Sequence, residues 1–269
     1  MPRRAIAIAI AGVLMGAAGP IKAAPAADAA WHLWGSREIA NRSLAAFTKW
    51  TGMLARYHEE QRRLAALHPD CGRQAAAAGP VRARSFADLV ALARARREGT
   101  AAAMPDKAAC AEREVAKLLA GLADRPLPEK LAAVNRFFNR APYVVDPVNW
   151  GVPDYWASPG QFAAKDGDCE DYAIAKYLAL RRLGVSAAKM RVVVLEDRNL
   201  GTDHAVLAVR DETGRIWILD NQTPVVVDAA RVRHYRPVYS INEEAWWLHA
   251  GGESSGAGIA FAPALRSGN

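Results

Sequence analysis

Trp156-Ala157-Ser158-Pro159-Gly160-Gln161-Phe162-Ala163-Ala164-Lys165-Asp166-Gly167-Asp168-Cys169-Glu170-Asp171-Tyr172-Ala173-Ile174-Ala175-Lys176-Tyr177 passes from a Gly- and Pro-punctuated loop into a helical pattern at Gly167-Asp168. Asp168 is a natural N-cap, and Asp171 three residues later closes the cap, so Cys169 falls in the first turn of a helix running to Arg182, with Gly184 as its stop. Unpaired backbone N–H groups and the positive end of the helix dipole favour thiolate there, as a nucleophilic cysteine requires. A small structural cysteine near a helix start satisfies the same pattern. Asp168, Glu170 and Asp171 act in the opposite direction, because each raises the thiol pKa; a hard cation held by these carboxylates would offset them, and oxygen ligands suit calcium.

Downstream the period changes from helical to alternating. Met190–Leu195, His204–Val209 and Ile216–Leu219 read as antiparallel strands, with shorter ones around Val225–Val227 and Tyr235–Tyr239. His204 opens the second strand and Asp220 closes the third. A three- or five-residue turn around Asp211-Glu212-Thr213-Gly214 sets His204 beside Asp220, whereas a four-residue turn brings Asn221 there. A thiol at a helix start, an imidazole on a neighbouring strand and a carboxylate to hold the ring make a Cys-His-Asp set in the order Cys169, His204, Asp220. A zinc site on Cys169 and His204 is disfavoured, since no second Cys or His lies at ligand spacing.

Upstream, the apolar positions of Ala30–Ala66 recur at helical spacing, as do those of Phe86–Arg97, Ala108–Ala123 and Glu129–Asn139. Tyr143 to Trp156 is a loop with four aromatics, a suitable wall for a cleft or a segment pinned to the core. The chain thus divides into 1–26, a helical region 27–128, a core 129–249 and a flexible tail 250–269. Residues 1–26 carry Arg3-Arg4, an apolar run from Ala5 to Ala18 and small residues at Ala24 and Ala26, the parts of a cleaved secretory signal; an uncleaved anchor is the alternative. Setting aside Arg3, Arg4 and Lys22, in a segment without acids, lowers the net charge from +7 to +4. No Lys/Arg stripe interleaves with aromatics, which argues against a nucleic-acid partner. In an exported chain with three cysteines, Cys71 and Cys110 make the simplest disulfide and leave Cys169 as the free thiol.

Gly167-Asp168-Cys169-Glu170-Asp171-Tyr172-Ala173, Asp203-His204-Ala205-Val206-Leu207, Leu219-Asp220-Asn221 and Asp154-Tyr155-Trp156-Ala157-Ser158-Pro159 together resemble the bacterial transglutaminase-like cysteine proteinases, over about Leu131 to Val227. The resemblance implies an α+β, papain/transglutaminase-like fold, with N-terminal helices and a catalytic Cys at a helix N-terminus packed on an antiparallel sheet. It implies Cys169 as nucleophile, His204 as general base and then acid, and Asp220 as the orienting carboxylate. The adhesin-processing members bind calcium through acids around the nucleophile, which points to Asp168, Glu170 and Asp171. It further implies a periplasmic endopeptidase with a polypeptide substrate, a large surface adhesin whose cleavage controls biofilm attachment, and an inner-membrane receptor that sequesters the protease. The same triad would serve a transglutaminase or amidase, and the acids alone a non-catalytic calcium-binding module.

Overall fold

The computed structural model describes residues 30–65 and 107–251. The expected signal segment, the helix at 86–97, Cys71 of the expected disulfide and nearly all of the C-terminal tail lie outside the described residues.

A seven-stranded antiparallel sheet carries the fold, in the order β1-β7-β6-β2-β3-β4-β5. The strands are β1 (Arg37–Asn41), β2 (Met190–Asp197), β3 (Thr202–Arg210), β4 (Ile216–Leu219), β5 (Val227–Asp228), β6 (Tyr235–Ile241) and β7 (Trp246–Ala250). The helices are α1 (Thr48–Ala65), α2 (Lys107–Leu122), α3 (Leu127–Phe138), a one-turn α4 (Asp146–Asn149), α5 (Pro159–Lys165) and α6 (Cys169–Arg182).

Alternation along the strands divides the core in two. Val192, Val194, Ala205, Leu207 and Val209 face the helices and pack with Ile174, Tyr177 and Leu178 of α6, Val134 of α3 and Trp50 of α1. Val193, Leu195, Val206 and Ala208 face the other way, onto Trp31, Leu33, Ala229 and Tyr235. Burial on both faces explains why β2 and β3 read as nearly continuous apolar runs. In α6 every side chain from Glu170 to Leu180 is buried, so it is the central helix, pressed against β3 along its length.

One expectation gives way. Residues 30–47 are not helical: a 3-10 turn at Leu33–Gly35 leads into β1, and only from Thr48 does the helix begin. Pairing of β1 with β7 overrides the local helical spacing, and Gly35, at φ 76°, ends the 3-10 turn that leads into β1. Strand β7 itself was not anticipated.

Candidate active site

The start of α6 is built by close backbone approach. A Cβ at Gly167 would meet Asp171 Oδ2 at 2.2 Å, so only glycine fits there. Asp171 Oδ2 accepts the Asp168 N–H at 3.4 Å, closing the expected cap, and its Oδ1 accepts the Ala157 N–H at 2.7 Å. Asp171 therefore ties the helix start to the Asp154–Pro159 loop. Tyr172 adds a hydroxyl bond to the Ala141 carbonyl at 2.5 Å.

Cys169 is the free cysteine among the described residues. Its Sγ donates to Glu170 Oε2 at 3.3 Å and lies against the backbone N–H of Ala205, the residue after His204. Tyr143, half-exposed in the aromatic loop, brings its hydroxyl to the same sulfur. Burial pushes the thiol well above its ordinary pKa, and the charges of Glu170 and Asp168 add to the rise.

His204 and Asp220 meet. The turn between β3 and β4 is five residues long, and the ladder pairs Leu207 with Leu219, so Asp220 sits diagonally from His204 on one face rather than directly opposite. The Nε2 to Oδ1 distance is 3.0 Å, both groups are buried, and Asn221 is not used. Asp220 Oδ2 accepts the Tyr235 hydroxyl at 2.5 Å, and its Oδ1 also accepts the Gln222 N–H at 2.9 Å. Burial works to raise the Asp220 carboxyl, but His204, Tyr235 and Gln222 outweigh it and hold the pKa below the usual range. Asn139 donates to the carbonyls of Asp220 (2.8 Å) and Thr223 (2.9 Å), anchoring this corner to the end of α3. Tyr235 and Asn139 carry no signal in the local sequence, because each reaches Asp220 across the fold.

The acids gather into a buried cluster larger than the three flagged by spacing. Carboxylate oxygens of Asp146, Asp154 and Glu170 lie within 4.8 Å of one another, and so do those of Asp146, Asp168 and Asp171. Asp146 thus bridges two groups, with Asp168, Glu170 and Asp171 divided between them. Three oxygens in this cluster, Oδ1 of Asp146, of Asp154 and of Asp168, are buried without a hydrogen-bond partner. Burial and mutual repulsion raise the pKa of Asp168, Glu170 and Asp171, and push Asp146 up to about 6. Unpartnered buried carboxylate oxygens pointing at one another are costly unless they are protonated or share a cation. The donor set, all oxygen, fits a hard divalent ion.

The remaining polar groups are structural. Gln161 accepts from Ser158 N–H (3.1 Å) and Arg56 (3.0 Å) and donates to the Tyr155 hydroxyl (2.8 Å), which occupies it in capping α5. Trp150 packs on Tyr155 with ring centroids 4.4 Å apart, and Trp156 packs edge-on to Trp50, so most of the aromatic loop is pinned to the core. Lys176, fully buried two turns along α6 from Cys169, has its pKa lowered to about 7 by burial, against the pull of Asp220.

Residues 103–253 match the family described as bacterial transglutaminase-like cysteine proteinase. The chain belongs to this family. The proteinase is accordingly a cysteine peptidase of transglutaminase-like α+β fold. It is also similar to solved structures of LapG from Legionella pneumophila. One is 33% identical, covers 54% of this chain and 81% of that one, and has a TM-score of 0.48. Its EGTA-treated form is 33% identical, with 54% and 79% covered and a TM-score of 0.48. The calcium-bound form is 32% identical, with 64% and 92% covered and a TM-score of 0.49. No curated protein matches the chain.

Proposed function

We propose that the proteinase is an exported, calcium-dependent endopeptidase whose catalytic residues are Cys169, His204 and Asp220. The observation that carries this reading is the buried 3.0 Å pair of His204 Nε2 with Asp220 Oδ1, together with a free thiol at the first turn of α6 that lies against the backbone N–H of Ala205, the next residue after His204. With Nε2 engaged by Asp220, Nδ1 is the ring nitrogen left to take the thiol proton. The thiolate attacks a peptide carbonyl carbon, and the C–N bond breaks as His204 returns the proton to the leaving amine. Water activated by the same imidazole then releases the acyl group from sulfur. The backbone N–H of Cys169, unpaired at the helix start, is one donor to the tetrahedral oxyanion.

Calcium would be held by Asp146, Asp154, Asp168 and Glu170, with Asp171 shaping the site through its bonds to Asp168 and Ala157. The bound ion supplies positive charge beside the thiol and oxygen-ligand rigidity at the helix start. The signal-like residues 1–26 support a periplasmic location, and the family resemblance supports a large surface adhesin as substrate, with biofilm attachment under its control and an inner-membrane receptor that sequesters the enzyme.

The test is cleavage of an unfolded polypeptide by the purified protein, with calcium and with chelator, reading new amino termini alongside incorporation of a fluorescent amine. The expected result is calcium-dependent cleavage, lost in Cys169→Ser and His204→Ala by roughly 10³-fold or more and reduced less in Asp220→Asn. Amine incorporation without new termini would assign the triad to a transglutaminase instead.

A further inference from the structure

On the sheet face away from α6, a groove of about 920 Å³ runs between the 3-10 turn at Leu33–Gly35, the β3–β4 turn and the start of β6. Its floor is apolar, from Leu33, Ile216, Val232 and Pro237. Four arginines line it, Arg198, Arg215, Arg233 and Arg236, against one acid, Asp228. Two of the four are neutralised: Arg215 lies 3.5 Å from Asp228, and Arg236 pairs with Glu196. Among the described residues no carboxylate pairs with Arg198 or Arg233. Arg198 is held against the backbone of the second, because its Nη2 donates to the Arg233 carbonyl at 2.6 Å and its N–H to the His234 carbonyl at 3.0 Å. Two cations without a carboxylate partner thus line one stretch of the groove, and an anionic occupant would balance them.

The wall opposite is pre-formed at a conformational cost. His32 and Trp34 both adopt left-handed backbone angles, φ 49° and 48°, which bulky residues rarely take. That conformation puts the Trp34 indole N–H on the Ala229 carbonyl at 3.2 Å and its ring edge-on to Tyr235 at 5.6 Å. Tyr235 is shared: it lines the groove and its hydroxyl binds Asp220.

We propose that this groove docks an acidic segment of a polypeptide, with its carboxylates on Arg198 and Arg233 and its backbone or apolar side chains over the floor beside Trp34. A concave, apolar-floored channel with charge along its rim fits an extended chain. It does not suit a lipid surface, which meets basic residues on a flat or convex face, nor does it hold the aromatic stacking ladder of a nucleic-acid groove. The assignment stands apart from the thiol chemistry, so it survives failure of the peptidase reading.

The experiment uses the purified chain carrying Cys169→Ser, so that nothing is cut. Fluorescence anisotropy is read with a fluorescein-labelled 12-residue peptide of Glu and Asp spaced by Gly and Ser, and with its Gln/Asn counterpart. Saturable binding of the acidic peptide is expected, weakening as salt rises and falling roughly tenfold or more on Arg233→Glu and on Arg198→Gln, each with an unchanged melting curve. Arg62→Glu, the same two-unit charge change as Arg233→Glu but on exposed α1, leaves binding intact. Equal affinity for the uncharged peptide overturns the proposal, as does full binding by the folded Arg233→Glu and Arg198→Gln proteins. So does uptake onto phosphatidylglycerol vesicles that the acidic peptide fails to displace.

Discussion

Cys169 Sγ donates to Glu170 Oε2 at 3.3 Å, so the thiol proton rests against a carboxylate of the acid cluster instead of against His204. The proposed calcium site and the nucleophile therefore share one cluster of acids. Burial sets the thiol pKa high, and the charges of Glu170 and Asp168 push it higher. A divalent cation on those acids cancels their charge and favours thiolate. The expected outcome is that the pH midpoint for alkylation of Cys169 by iodoacetamide lies lower in calcium than in chelator. Labelling at neutral pH should accordingly be several-fold faster with the ion, tending to about tenfold for each unit of displacement. Identical pH profiles with and without calcium would remove the electrostatic link between the two sites.

Tyr235 holds Asp220 from the side opposite His204. Tyr235→Phe deletes one O–H and leaves Asp220 Oδ2 buried without that donor, a change of about 1–3 kcal/mol at the carboxylate. Asp220 then has more freedom to rotate away from the imidazole. We expect kcat/KM to fall roughly 5- to 100-fold with KM little altered, and thermal stability to change by less than the loss of a core ring would cause. Wild-type kcat/KM in the folded variant would make Tyr235 a packing residue alone.

The acids give the metal-free protein an inverted pH dependence. Asp146, at about 6, sits above its ordinary value near 4, as do Asp168, Glu170 and Asp171. The folded state therefore binds protons more tightly than the unfolded chain. Stability conferred by these groups is full below about pH 4 and is lost as pH rises through 6 and beyond. In chelator the melting temperature should decline between pH 5 and 7. Calcium should reverse the trend, since it binds the deprotonated acids and adds about 2.7 kcal/mol at 100 times its dissociation constant. A chelated protein equally stable at pH 5 and pH 7 would mean the acids are compensated by another route.

What could be read from the sequence follows the range of the interactions. The start of α6 was legible because its signals, Gly167, Asp168 and Asp171, are adjacent, and β2 to β4 were legible because both faces are apolar. The acid cluster was half legible: Asp168, Glu170 and Asp171 stand together in the chain, while Asp146 and Asp154 arrive from a separate segment that only the fold brings against them. Strand β1 was not legible at all. Arg37-Glu38-Ile39-Ala40-Asn41 exposes Ile39 and hides the carboxylate of Glu38, the reverse of what side-chain polarity suggests, because its partners come from β2 and β7 at the far end of the chain.

That hidden carboxylate supports the sheet's N-terminal edge. Glu38 Oε2 lies 2.9 Å from Arg191 Nη1, with both side chains only 2% exposed, and also accepts the Trp31 N–H at 3.1 Å. The Arg191 guanidinium is sandwiched between Trp31 and Trp247, 4.3 and 3.6 Å from their ring centroids. Beside it His249, its pKa pushed down to about 4 by burial, bridges Ser36 and Ser240 at 2.8 and 2.9 Å. Glu38→Ala strands a buried cation and should cost about 3–5 kcal/mol by urea denaturation, whereas Glu38→Leu combined with Arg191→Met removes both charges and should recover most of that loss. Residues 32–35, which Trp31 and Ser36 flank, form the wall that holds Trp34 on the basic groove. Glu38→Ala should therefore release this segment and weaken acidic-peptide binding even where the His204–Asp220 pair is intact. A single variant within 1 kcal/mol of wild type would show that β1 is held by its backbone ladder with β7 and owes little to the buried pair.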